Sequence, residues 1–386
     1  MASDVYIFNA SNDSALACDS LSYSPTKFVK CFENDLATLP MLFASKNDIV
    51  LVEDNPSGTF IDQMHSLGIE LPHFITKAAF FKQQSSLKYQ LNAIRPWGWS
   101  RTVHTIFRSV KHLFLYKSPC SEWNPMLRQL SGRQTAADVL KYVLLQQNPL
   151  YIDASAVSQS LQTLDAIPDL FMLRNRWVLK SPWSSSGRGL MRISPTLFDS
   201  TEKTWAHGVI KEQGFVMIEP WFEKVFDFSI LFSVTKEAVS FLCFSHFKTN
   251  DKGQFLGSFV HWNNDNLLLE LGIEHKQLEM LVTTLSDAIK MKGFQNYYEG
   301  WIGVDAMIVR ENGKLLIHPC VEINCRYTIG HLAYALRKYC IDLPNALLRI
   351  GSIDEYNDIK AKSVFSKPIT SVNDKTMFVA WIEGEW

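Results

Sequence analysis

Gly303-Val304-Asp305-Ala306-Met307-Ile308-Val309-Arg310-Glu311-Asn312-Gly313-Lys314-Leu315-Leu316-Ile317-His318-Pro319-Cys320-Val321-Glu322-Ile323-Asn324-Cys325-Arg326 reads as a β-hairpin with oxygen ligands on one face. Asn-Gly between apolar runs is the strongest short hairpin signal, because both residues tolerate the positive φ of a type I′ turn. With Asn312 and Gly313 as the turn, Glu311 faces Lys314, Asp305 faces Cys320 and Gly303 faces Glu322. Side chains alternate along a strand and opposed residues share a face, so Asp305, Glu322 and Asn324 project from one side. Diagonal neighbours lie roughly 7–8 Å apart, close enough to share a cation and its phosphates. Two carboxylates and an amide are hard oxygen ligands that suit Mg²⁺ on a nucleotide. The competing reading is a solvated polar face on an edge hairpin, but both strands are otherwise apolar.

A phosphate-binding partner stands upstream, in Arg176-Trp177-Val178-Leu179-Lys180-Ser181-Pro182-Trp183-Ser184-Ser185-Ser186-Gly187-Arg188-Gly189-Leu190-Met191-Arg192-Ile193. A strand-like run delivers Lys180, and a loop of small residues exposes its backbone N–H groups with little steric cover. Lys180 and Arg188 add positive charge. A Ser/Gly loop alone is usually a simple turn. Joined to a lysine-terminated strand and a carboxylate hairpin in one chain, it becomes far more specific.

The combination resembles the ATP-grasp superfamily, over roughly Ser131 to Leu332. In that family a lysine precedes a flap over the triphosphate, an acidic hinge holds adenine, and a late D…E-x-N arrangement holds Mg²⁺. Lys180 and the segment Ser184, Ser185, Ser186, Gly187, Arg188, Gly189 match the lysine and flap. Met217-Ile218-Glu219-Pro220-Trp221-Phe222 resembles the hinge, with Glu219 and the backbone near Trp221 and Phe222 facing adenine. Asp227 matches the acidic ribose contact, although the family more often has glutamate there. Asp305, Glu322 and Asn324 match the metal ligands, and Arg326 the arginine near the γ-phosphate. Arg133, just before a helical stretch, stands where the family has an earlier phosphate-binding lysine. The resemblance implies an α/β (α+β) ATP-grasp fold with a Rossmann-like pre-ATP-grasp domain, binding ATP with Mg²⁺ or Mn²⁺. It implies Lys180, Arg188 and Arg326 as catalytic cations. The implied reaction activates a carboxylate as an acyl phosphate and joins it to an amine, or less commonly a thiol or hydroxyl. A small-molecule kinase and a non-catalytic ATP-binding module are the alternatives.

The rest of the chain fits an enzyme of this kind. Its 386 residues leave room for two or three domains. A net charge of -1 gives no general attraction to nucleic acid or membrane, so small-molecule or peptide substrates are the expected partners. Seven cysteines without repeated close spacing point to a reducing compartment, and the N-terminus lacks the apolar run of a signal peptide. A cytoplasmic location and a homodimer are expected. Asp4 to Phe8 and Asp48 to Glu53 read as parallel strands around a helix-like stretch from Asp35 to Ala44. The expected division is 1–120 for this α/β domain and 121–386 for the ATP-grasp domain, with helices over Thr135–Gln146 and Gln277–Lys290.

Several further residues are ambiguous. Arg95, Trp97, Trp99 and Arg101 form a pocket or a packed core, with packing favoured. Asn9, Asn12 and Asp13 follow the first strand, where α/β sheets place ligands, yet they also suit a turn. Lys248 reaches a phosphate or is only solvated. Walker A, G-x-G-x-x-G, H-E-x-x-H and G-x-S-x-G patterns are absent. If Ser184 to Gly189 closes over the triphosphate, hydrogen exchange across Lys180 to Ile193 slows when a non-hydrolysable ATP analogue binds. Equal exchange with and without bound analogue would make the loop a structural turn.

Overall fold

The computed structural model describes residues 2–82, 90–184, 189–250, 255–260, 266–340, 346–362 and 365–384. Four short apolar runs build a parallel sheet: β1 (Ser3–Ile7), β2 (Ile49–Val52), β3 (His73–Thr76) and β4 (Leu91–Pro96), in the order β3-β2-β1-β4. In β2 all four side chains of Ile-Val-Leu-Val are buried, the continuous apolar pattern of a strand covered on both faces. The helix expected over Asp35 to Ala44 does not form: an α-helix ends where that stretch begins, and a short 3-10 turn follows. That helix, Lys27–Asp35, is capped by the Thr26 hydroxyl, and the 3-10 turn spans Leu39–Leu42. Pro40 is the reason, since it has no N–H to continue an α-helical ladder. Arg95 serves packing, as an ion pair with Asp4 at 2.8 Å, and Arg101 pairs with Asp19 at 2.7 Å.

A second sheet has the order β5-β8-β6-β7, formed by β5 (Gln159–Leu161), β6 (Trp177–Lys180), β7 (Leu190–Ile193) and β8 (Val216–Pro220). Its apolar face packs Trp177, Leu179 and Ile218 against Ala206 and Val209 of the Ser200–Gln213 helix. Asp199 opens that helix with a capping box to Glu202.

The third sheet is antiparallel throughout. It comprises β9 (Glu223–Val234), β10 (Val239–Thr249), β11 (Phe255–Phe259), β12 (Gly300–Glu311), β13 (Lys314–Asn324), β14 (Leu347–Ser352), β15 (Phe365–Pro368) and β16 (Phe378–Gly384). Their order is β13-β12-β9-β10-β11-β14-β16-β15. The His275–Met291 helix buries Leu278, Leu281, Leu285 and Ile289 in the same core as Phe228, Ile230, Phe232 and Val304 of this sheet. The opposite face, carrying the polar residues, looks toward the second sheet and the N-terminal domain. One buried cluster joins Phe8, Leu36 and Trp97 of the N-terminal part to Leu332, Leu336 and Ile382.

The hairpin forms as read, with one correction to its register. Asn312 and Gly313 adopt φ of 50° and 76°, the pair of positive values that a type I′ turn requires. Pairing runs as expected from Glu311 opposite Lys314 to Met307 opposite His318, then slips by two residues. Asp305 therefore opposes Glu322, not Cys320, and Gly303 opposes Asn324, not Glu322. The surplus residues of β13 fall in Pro319-Cys320-Val321, opposite Ala306, where Pro319 cannot donate to the ladder. A slip of two leaves every side chain on its original face, so the ligand face survives and its two carboxylates come directly opposite one another.

At Gly313 nothing lies within 4 Å of an added Cβ, so Gly313→Ala tests the backbone conformation alone. Forcing alanine into the left-handed region is expected to destabilise the protein by about 1–2 kcal/mol, measured by the denaturant midpoint. An unchanged midpoint would remove the turn from the elements that fix the register.

Candidate functional site

A cavity of about 830 Å³ lies between the three sheets, and most of the residues singled out in the sequence line it. At one end, Lys180 closes β6 and Glu219 comes from β8; both are buried and form an ion pair. Val178 pairs with Glu219 on one side and Arg192 on the other. Alternation then puts Lys180, Glu219 and Arg192 on a single face of the second sheet. The Arg192 guanidinium lies over the Trp221 ring, 4.1 Å from its centre, and Phe222 sits edge-on to the His318 ring at 5.8 Å. Asp227, on β9, accepts from Lys224 Nζ at 2.5 Å and from Thr249 Oγ1 at 2.7 Å. Its carboxylate therefore already has partners at the place where a ribose contact is expected.

The hairpin forms the middle of the cavity. Ser229 Oγ donates to Asp305 Oδ1 at 2.5 Å and Asn324 Nδ2 donates to Asp305 Oδ2 at 2.9 Å. Burial, and after it the facing Glu322 carboxylate, push the Asp305 carboxyl up to about 7, against the lowering effect of those two hydrogen bonds. Arg133 begins the Arg133–Leu144 helix with its side chain buried. Its Nη2 lies 3.1 Å from Glu322 Oε2 and 3.4 Å from Ser184 Oγ, and its Nε donates to the Ser181 carbonyl at 3.0 Å. One guanidinium thus ties the hairpin to the base of the Ser/Gly loop.

Ser184 and Gly189 bracket that loop, and Ser185, Ser186, Gly187 and Arg188 lie outside the described residues. The Ser181 amide bonds to the Gly189 carbonyl at 2.8 Å, and a Cβ on Gly189 would fall 2.3 Å from Ser184 Oγ. Glycine is therefore required there by close approach.

Arg326 closes the site against the N-terminal domain. Its Nη2 lies 2.9 Å from Asp13 Oδ2, and its Nε donates to the same carboxylate at 3.0 and 3.2 Å. Burial alone would lower its pKa, but Asp13 in contact raises it, helped by Glu322 and Asp305. Beside it the Tyr327 amide bonds to the Trp97 carbonyl at 2.9 Å. Trp97 and Asp13 both line the cavity, whereas Asn12 is buried beneath Gly98 and Asn9 bonds to Gly98. Lys248 lies over the Phe259 ring.

The structure thus brings together Arg133, Lys180, Glu219, Trp221, Phe222, Asp227, Asp305, Glu322, Asn324 and Arg326. Sequence reasoning missed Arg192, Lys224 and Ser229. Ser229 carries no local signal, because its contact with Asp305 arises from β9–β12 pairing across 76 residues. Arg192 is legible only through alternation on the strand after the loop.

A parallel α/β domain followed by two antiparallel sheets enclosing such a cavity is the ATP-grasp fold. Among solved structures the chain is similar to the ADP complex of purK, N5-carboxyaminoimidazole ribonucleotide synthetase, at 11% identity and TM-score 0.53, covering 100% of this chain and 92% of that one. It is also similar to N5-carboxyaminoimidazole synthetase from Staphylococcus aureus complexed with ADP, at 11% identity and TM-score 0.51, covering 99% and 93%. A third is a biotin carboxylase–β-γ-ATP complex from Campylobacter jejuni, at 11% identity and TM-score 0.51, covering 100% and 88%. No protein-family model and no curated protein matches the chain. At these identities the likeness is one of fold.

Removing one partner of a buried ion pair strands the other, at a cost of about 3–5 kcal/mol, whereas replacing both with apolar groups is often near neutral. Lys180→Met and Glu219→Leu are each expected to lower the unfolding free energy by more than the double variant does. Additive losses in a double-mutant cycle would show that the two side chains do not depend on one another.

Proposed function

We propose that the protein is an ATP-dependent ligase that activates a substrate carboxylate as an acyl phosphate and joins it to an amine, releasing ADP and phosphate. The observation that carries this reading is the directly opposed pair Asp305 and Glu322, with Asn324, in the cavity that Lys180 and Glu219 close at one end. Nucleotide complexes among the structures of similar fold support it.

Adenine would sit between Glu219 and the backbone of Trp221 and Phe222, the ribose near Asp227, and the phosphates between Lys180, Arg133 and the loop Ser184, Ser185, Ser186, Gly187, Arg188, Gly189. Asp305, Glu322 and Asn324 fit Mg²⁺ by their hard oxygen donors, and Mn²⁺ could replace it. A cation held here would favour the ionised form of Asp305, whose carboxyl is pushed up to about 7 by burial and, after it, by the facing Glu322. When bound, the metal would offset charge on the phosphates. Ser229 and Asn324 fix the Asp305 carboxylate, and Arg133 orients Glu322. Arg326 would neutralise charge near the γ-phosphate or the acyl phosphate, and Arg188, outside the described residues, is a further candidate cation. A substrate carboxylate oxygen forms the bond to the γ-phosphorus while the bond to the ADP oxygen breaks; the amine then displaces phosphate from the acyl carbon. Positioning and charge stabilisation carry such a reaction without a side-chain nucleophile.

We divide the chain at 120/121, with the acceptor bound between residues 1–120 and the hairpin, and place the protein in the cytoplasm. Among the described residues no helix is long and apolar enough to cross a membrane.

The purified protein, supplied with ATP, Mg²⁺ and pooled metabolites, is expected to yield ADP, phosphate and a condensed product by mass. A phosphorylated product would make it a kinase; ATP binding with no turnover would make it a binding module. Glu322→Ala and Asn324→Ala are each expected to lower turnover by roughly 10²-fold or more with the fold retained, as read by circular dichroism. Near-normal turnover in either variant would sink the metal assignment. In Lys180→Ala, nucleotide affinity and rate should fall together.

A further inference from the structure

The ligand face of the large sheet continues past the hairpin as a row of hydroxyls. Ser229 of β9 opposes Asp305, Ser245 of β10 opposes Ser229, and Ser258 of β11 opposes Phe247, two residues beyond Ser245 on the same face. Ser229 is engaged with Asp305. The Ser245 and Ser258 hydroxyls, in residues only 2% and 1% exposed, have no hydrogen-bond partner. Buried hydroxyls are ordinarily paired, so two orphans on one row call for an explanation.

Over this row lies the start of the Ile329–Leu336 helix. A Cβ on Gly330 would fall 2.7 Å from Ser245 Oγ, so the glycine lets the helix end approach the sheet. The Thr328 amide bonds to His331 Nδ1 at 3.0 Å, which leaves the Ile329 and Gly330 amides as the first-turn donors that have no carbonyl within the helix. Ser258, Ile329 and Gly330 all line the cavity. Phe8, Phe32, Trp97 and Ile350 line it too, with the Phe8 and Trp97 rings edge to face at 4.9 Å. A buried hydroxyl donor, two helix-end amides and the positive end of a helix dipole suit a carboxylate, and the aromatic wall suits an apolar body.

Strand spacing decides which carboxylate this is. Ser258 stands three strands from Asp305, on the order of 14 Å at about 4.8 Å per strand. That is too far for the group that receives the γ-phosphoryl. A carboxylate anchored here is therefore not the one being activated, and Asp13, on the cavity wall beside Arg326, is an acid that an amine in the same cavity could face.

We propose that the acceptor is an apolar amino acid: its carboxylate accepts from Ser258 Oγ and the Ile329 and Gly330 amides, its side chain packs on Phe8, Phe32 and Trp97, and its ammonium group faces Asp13. This rests on the ligase reading for its place in the reaction, but it is tested by binding alone. Calorimetric titration of the ADP- and Mg²⁺-loaded protein would compare phenylalanine and leucine with phenylethylamine, which lacks the carboxylate, 3-phenylpropionate, which lacks the amine, glycine, which lacks the body, and inorganic phosphate. Phenylalanine or leucine is expected to bind at least tenfold more tightly than any of the other four, and Ser258→Ala to remove at least tenfold of that affinity with ADP affinity unchanged. Ser258→Cys, similar in size but a weak donor, should behave like the alanine variant, and thermal unfolding checks that both fold. Equal binding of phenylethylamine, preference for phosphate, an unaffected Ser258→Ala or no binding by any amino acid would overturn the proposal. A failure of the ligase reading would show separately, as absent ADP binding or as amino-acid binding without a condensed product.

Discussion

Two carboxylates held opposite one another on adjacent strands are the constraint around which the site is built. At the roughly 5 Å separation of opposed Cβ atoms, two such charges repel by about 3 kcal/mol at an effective dielectric constant of 20. The protein tolerates this by surrounding the pair with donors: Ser229 and Asn324 on Asp305, Arg133 on Glu322, Arg326 close by. Those donors come from β9, β13, the Arg133–Leu144 helix and the segment after β13, so the placement of each element is tied to the pair. The slip at Pro319-Cys320-Val321 makes the opposition direct where a regular ladder would have made it diagonal.

Much of this was legible in the sequence, for identifiable reasons. Turn chemistry and alternation are local, so the Asn312-Gly313 hairpin and the shared face of Asp305, Glu322 and Asn324 follow from counting residues. The bulge does not, although Pro319 in the middle of a strand was its signal. Lys180 at the end of a strand was readable; its ion pair with Glu219 was not, because it depends on which strands become neighbours. The same limit hid Ser229. Asp13 stayed ambiguous because a polar residue after the first strand looks alike in a turn and in a site, and only Arg326, 313 residues away, distinguishes them. The stretch from Asp35 to Ala44 looks helical in sequence, but Pro40 has no N–H to continue an α-helical ladder and leaves only the Leu39–Leu42 turn.

The N-terminal domain takes part in the cavity as well as capping it. The Trp97 carbonyl accepts from the Tyr327 amide, Asp13 holds Arg326, and Phe8 and Trp97 share a core with Leu332 and Leu336. The Lys180–Glu219 end of the cavity is thus built by the second and third sheets, and the other end by the first and third. Structures that share this fold at 11% identity have kept the framework with very different side chains, as expected when function resides in a few residues grafted on a stable architecture.

The most direct measurement is electron paramagnetic resonance of Mn²⁺ with a non-hydrolysable ATP analogue, comparing the wild-type protein with Asp305→Asn. Protein-bound Mn²⁺ that appears with the nucleotide in the wild type, and whose affinity falls at least tenfold in the variant while the fold is retained, is the expected result. Nucleotide-dependent Mn²⁺ binding of equal strength in both proteins would contradict the assignment of the Asp305–Glu322 pair as the metal centre.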